Sequence, residues 1–123
     1  MPLVATLETD RISSQMIKST ALGVIADKDI TGGAAKIYML DVTNNHGSAL
    51  GYLKIFDTAA PVVGTTTPVI VIPIAGAQRQ VITIAEGITL GNGLSWAFVN
   101  AAGTGGTGAI TGGALTIAVI KAG

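Results

Sequence analysis

The stretch ALGYLKIFDTAAPVVGTTTPVIVIP, residues 49–73, decides how the chain is read. In Tyr52-Leu53-Lys54-Ile55-Phe56-Asp57 the side chains alternate across a pleat. Tyr52, Lys54 and Phe56 share one face, and Leu53, Ile55 and Asp57 share the other. Pro61 and Gly64 break this strand, and Pro68 restrains the residue before it to extended geometry. Val69-Ile70-Val71-Ile72 is a short β-branched run with the composition of a strand buried on both faces. Pro73 is expected to end it, because proline cannot donate to a sheet ladder. None of these residues forms a reactive group, so the stretch specifies architecture.

The composition carries the same message outward. At 123 residues the chain is of one-domain length. Lysine plus arginine total 7 and aspartate plus glutamate total 7, so the formal net charge is zero. That balance argues against nucleic acid as a partner, which requires clustered basic residues. Charged residues make up 11% of the chain, against about 25% in an ordinary soluble domain. Mean hydropathy is +0.61, and no charge occurs between Glu86 and Lys121. Neutral surface on that scale marks an interface. A membrane-spanning helix needs roughly 20 consecutive apolar residues, and Pro68, Pro73 and the threonines interrupt the most apolar window. A membrane role is therefore not expected. Met1-Pro2-Leu3-Val4 has no basic segment followed by an apolar one, so a signal peptide is not expected either.

Working along the chain, residues 1–20 read as an N-terminal arm and 21–123 as the β domain. The arm carries Glu8, Asp10, Arg11 and Lys18, and the spacing of Ile12, Met16 and Ile17 fits a short helical turn. These three apolar residues are candidate contacts to a neighbouring subunit. Strands are expected over 21–26, 35–43, 52–57, 69–72, 79–84, 94–99 and 114–120, with a further short segment at Ile88-Thr89-Leu90. Glu86-Gly87 is expected to turn the chain before that segment. Glycine, proline or asparagine punctuates the connections. About eight short strands at this spacing predict an all-β, antiparallel β-sandwich, jelly-roll-like in its strand count.

Few residues offer chemistry. With no cysteine and a single histidine, His46, a zinc site lacks ligands, and His46 reads as a turn residue. Asp27, Asp29 and Thr31 have the oxygen spacing of a calcium loop, but the position expected to hold its glutamate is Tyr38, so a solvated turn is the reading. Gly103, Gly105 and Gly108 match a dinucleotide fingerprint by letter. The fingerprint works by opening a helix whose N-terminus holds the pyrophosphate, whereas this loop leads into a β-branched strand; it reads as a flexible connection. The acids are scattered along the chain and form no evident catalytic pair. Trp96 and Phe98 share a strand face, and no basic residue lies between Arg79 and Lys121 to accompany base stacking. Core packing is their first role and an interface anchor the second. Neither catalysis, a cofactor nor a metal is expected.

The order Leu53-Lys54-Ile55-Phe56-Asp57, Ala59-Ala60-Pro61-Val62-Val63-Gly64-Thr65 and Pro68, followed by Glu86-Gly87-Ile88-Thr89-Leu90-Gly91-Asn92-Gly93-Leu94-Ser95, resembles small virion structural proteins of tailed bacteriophages. The resemblance covers about Ala34 to Val99. It implies a β-sandwich located in the virion, as a capsid decoration (cement) protein or a tail, neck or baseplate component, without enzymatic activity. It further implies the major capsid protein as partner and self-association, with a homotrimer favoured because decoration proteins of this kind occupy threefold sites. A carbohydrate- or receptor-binding β-module, using Trp96 and loop acids, is the rival reading.

Overall fold

The computed structural model describes residues 15–22, 34–108 and 115–122. They form seven strands and no helix: β1 (Gln15–Leu22), β2 (Ala35–Asn44), β3 (Gly51–Asp57), β4 (Ile70–Ile74), β5 (Arg79–Leu90), β6 (Leu94–Val99) and β7 (Leu115–Ala122). The strands make two antiparallel sheets, a larger one of order β1-β7-β2-β5 and a smaller one of order β4-β3-β6. The chain is thus all-β and antiparallel over the described residues, as expected.

One hydrophobic cluster joins both sheets. Ile37, Leu40 and Val42 of β2 and Leu90 of β5 meet Leu53 and Ile55 of β3, Ile74 of β4, and Leu94, Trp96 and Phe98 of β6. The registers Leu53↔Phe98 and Ile55↔Trp96 put the apolar residues of β3 and β6 on one face, as the alternation requires. Asn44, fully buried, ties the sheets together by donating from Nδ2 to the Ile74 carbonyl at 3.0 Å.

Four expectations are corrected. First, Gln15–Leu22 is a strand paired with β7, with Met16 opposite Ile120 and Ile17 opposite Val119, and not a helical turn. A single turn of helix is marginal alone, whereas a ladder satisfies the same backbone groups against a neighbour. β1 therefore crosses the boundary placed at residue 20. Ile12, residues 23–26 of the expected first strand, and Asp27, Asp29 and Thr31 lie outside the described residues.

Second, the faces of β2 do not keep one phase. Unbroken alternation along β2 would set Ile37 beside Met39 and Asp41 and opposite Leu40 and Val42, yet Ile37, Leu40 and Val42 are all buried. A register shift between Ile37 and Met39 makes Tyr38 an extra residue against β7, while β5 sets four residues against it, and the pattern flips. Third, Glu86-Gly87 is no turn between strands. It lies inside β5, where Ile88 pairs Ile37 but Thr83 pairs Met39, leaving Ile84–Gly87 as a wide bulge. Gly87 carries the positive φ of 77° that this bulge needs. Ile88-Thr89-Leu90 therefore continues β5, and seven strands are described against the eight expected.

Fourth, the β-branched run is not the doubly buried strand. β4 lies at the edge of its sheet, Val69 is 54% exposed, and the strand runs through Pro73 to Ile74. An edge strand tolerates proline because one side of it lacks a ladder to interrupt. Among the strands whose burial is described, those buried on both faces are β3 and β6.

Candidate functional site

The burial of β3 and β6 on both faces identifies the covered outer side of the smaller sheet. Opposite the core face lie Lys54 and Phe56 of β3 and Ser95, Ala97 and Val99 of β6, all buried. Two connections fold over this side. In the β3–β4 connection, Val62 accepts from Thr65 N and Thr66 N in a tight turn, and the Thr58 carbonyl accepts from Ser95 Oγ at 2.6 Å. In the connection after β6, the loop Asn100–Gly108 closes on itself through Asn100 N to the Gly108 carbonyl (3.0 Å) and Gly106 N to the Gly103 carbonyl (2.9 Å).

Lys54 joins strand to loop. Its Nζ donates to the carbonyls of Gly103 at 2.6 Å and Gly106 at 3.0 Å. The side chain is fully buried, and burial pushes the ammonium below its ordinary pKa of 10.5. The loop that matches the dinucleotide fingerprint by letter thus presents carbonyl oxygens to a cation, the opposite polarity to an anion site, which needs backbone N–H groups. Lys54 was not singled out from the sequence as a site residue. The available signal was a lysine centred between aromatic Tyr52 and Phe56 on one strand face, where an outward face would carry several polar residues.

On the opposite side of the molecule, the β5 margin of the larger sheet is exposed. On the outer face of the larger sheet, Met39, Asp41 and Thr43 of β2 stand opposite Thr83, Val81 and Arg79 of β5. Along β5, Arg79, Val81, Thr83 and Ala85 are exposed while Gln80, Ile82 and Ile84 are half-buried. Asp41 and Arg79 form a two-pronged ion pair, Nε to Oδ1 at 2.8 Å and an Nη to Oδ2 at 2.7 Å. The Asp41 carboxylate holds the Arg79 guanidinium above its ordinary pKa, through hydrogen bonding first and charge second. Beside this pair the β5 face offers Val81, 54% exposed, with threonine and alanine.

The remaining polar groups fix turns. His46 Nδ1 accepts from Ser48 N (3.0 Å) and Ala49 N (2.8 Å), and His46 N donates to Asn44 Oδ1 (3.0 Å). His46 is thus a turn residue, as expected. Asp57 accepts from Gly91 N (3.2 Å) and Asn92 N (2.9 Å), bracing the β5–β6 turn. Among the described residues no three histidine or acidic side chains gather around one point where a metal could sit, and no helix is long and apolar enough to cross a membrane.

Of the sequence-derived interface residues, Trp96 (0% exposed) and Phe98 (1%) belong to the core, the first of their two expected roles. Met16 and Ile17 lie on β1. No family model, curated protein or solved structure matches the chain.

Proposed function

We propose that this protein is a structural virion protein of a tailed bacteriophage, a capsid decoration protein that strengthens the head shell by contacts between copies and with the major capsid protein. The observation that carries the reading is the outer face of the β2–β5 pair next to the ion pair, where Met39, Thr43, Val81 and Thr83 surround Asp41 and Arg79, two charges already neutralised by each other. A face of that chemistry has little to keep neighbouring copies apart, and its apolar area gains about 25 cal/mol per Å² when covered. The resemblance over residues 34–99 to phage virion proteins points the same way.

The finer fold in this reading is a jelly-roll β-sandwich. In a jelly roll the first strand pairs with the last and the pairing continues concentrically inward. β1 with β7, β2 with β5 and β3 with β4 follow that scheme. A jelly roll has one more strand between the first and the present β2; the chain between Leu22 and Ala34 lies outside the described residues. The carbohydrate-module reading loses its main support, because the indole of Trp96 is enclosed in the core and offers no platform to a sugar.

The test is co-sedimentation with head shells that lack the protein. The wild-type chain is expected to pellet at a fixed ratio to the shell subunit, and Val81→Glu to stay in the supernatant while keeping its fold. Equal pelleting of both would overturn the surface assignment, and no pelleting of the wild type would overturn the decoration reading.

A further inference from the structure

We infer that the loop Asn100–Gly108 is a flap that opens independently of the rest of the fold, and that Lys54 is the latch holding it against the smaller sheet. The flap is a closed unit: its two backbone hydrogen bonds, Asn100 N to Gly108 O and Gly106 N to Gly103 O, join loop residues to one another. Such bonds do not hold the loop to the sheet, and once the loop swings into water they break readily and their amides exchange. What ties the loop to the sheet is the pair of bonds from Lys54 Nζ, together with the packing of Thr107 near Gly64.

Among the described residues the loop has little else to hold it. Gly103, Gly105, Gly106 and Gly108 bring no side chains, and Ala101, Ala102 and Thr107 are exposed. Glycine also regains the most conformational freedom on release, which favours opening. Gly106 is required by the loop's own fold: a Cβ there would press into the Ala101 carbonyl. Against these terms stand two short bonds from a charged donor, the stronger kind of hydrogen bond. Few apolar contacts and exposed backbone define a segment of low local stability. Opening would bare Lys54 and Ala97, its ladder partner, both fully buried in the closed form. The latch holds whether or not the assembly reading does, since it rests on contacts within one chain.

Native-state hydrogen exchange on the full chain tests this. In the wild type, the amides of Asn100 and Gly106 are expected to exchange at least about a hundredfold faster than the β3 amides, and Lys54→Met is expected to widen that gap by about tenfold or more. Exchange of the loop at the β3 rate, or an unchanged gap in the variant, would overturn the inference. Should Lys54→Met fail to fold, the wild type still decides through acylation of its lysines read by mass spectrometry, with exposed Lys36 as the internal standard. Modification of Lys54 at the rate of loop opening supports the latch; modification only at the rate of global unfolding refutes it.

Discussion

Lys54 Nζ lies 2.6 Å from the carbonyl oxygen of Gly103, a residue 49 positions further along the chain. A buried ammonium thereby finds its partners in backbone carbonyls of a loop instead of a carboxylate. Lys54→Met keeps the apolar stem but leaves two carbonyls without their donor, while also removing a desolvated charge. The net expectation is a loss of about 1 kcal/mol at neutral pH, measured by denaturant unfolding.

The same site sets a pH dependence. The folded pKa of Lys54 is depressed by burial relative to the ordinary 10.5 of the unfolded chain. Between the two values the unfolded state binds more protons, so stability rises with pH through that window. The wild type is therefore expected to gain stability relative to Lys54→Met as pH is raised from neutral toward 10.5. A difference that stays flat or shrinks would show that the ammonium is not desolvated.

The turn before β5 yields a paired prediction. Ala77 has a φ of 60°, in the left-handed region, while its neighbour Gly76 is the residue against which the Ser48 backbone packs. Ala77→Gly relieves the backbone and is expected to stabilise by up to about 1 kcal/mol. Gly76→Ala drives a Cβ into the Ser48 main chain and is expected to cost roughly 2 kcal/mol or more. Thermal unfolding of the two variants separates the signs.

Much of this fold was legible in the sequence, and the misreadings have physical causes. The alternation in Tyr52–Asp57 and Leu94–Val99 located both central strands and put Trp96 with Phe98 on one face. Strand faces were lost where an inserted residue changed the phase, at Tyr38 and at Ile84–Gly87, since a bulge leaves no composition mark beyond Gly87. Val69–Ile72 read as doubly buried because β-branched composition reports strand formation and not sheet position; β4 is an edge strand. Lys54 was missed because its partners, the Gly103 and Gly106 carbonyls, belong to the backbone and carry no sequence signature.

Asn44 joins the two sheets from a fully buried position, while Gln80 of β5 makes a second such bond at the surface by donating from Nε2 to the Pro73 carbonyl at 2.9 Å. Asn44 Nδ2 donates to Ala49 O at 2.8 Å and Ile74 O at 3.0 Å, and Asn44 Oδ1 accepts from His46 N. Asn44→Leu would orphan these groups at a buried position, with an expected cost of about 3 kcal/mol by denaturant unfolding. Asp57→Ala, which frees Gly91 N and Asn92 N in a solvated turn, is expected to cost only about 1 kcal/mol.

The central claim is that the outer face of the β2–β5 pair around Val81 is made to be covered by other subunits. Native mass measurement of the purified chain at micromolar concentration tests it most directly. The account predicts a homotrimer, three times the 12.3 kDa of one chain, that falls to monomer in Val81→Glu without loss of the β-sheet dichroism signal. A monodisperse wild-type monomer at that concentration would contradict it.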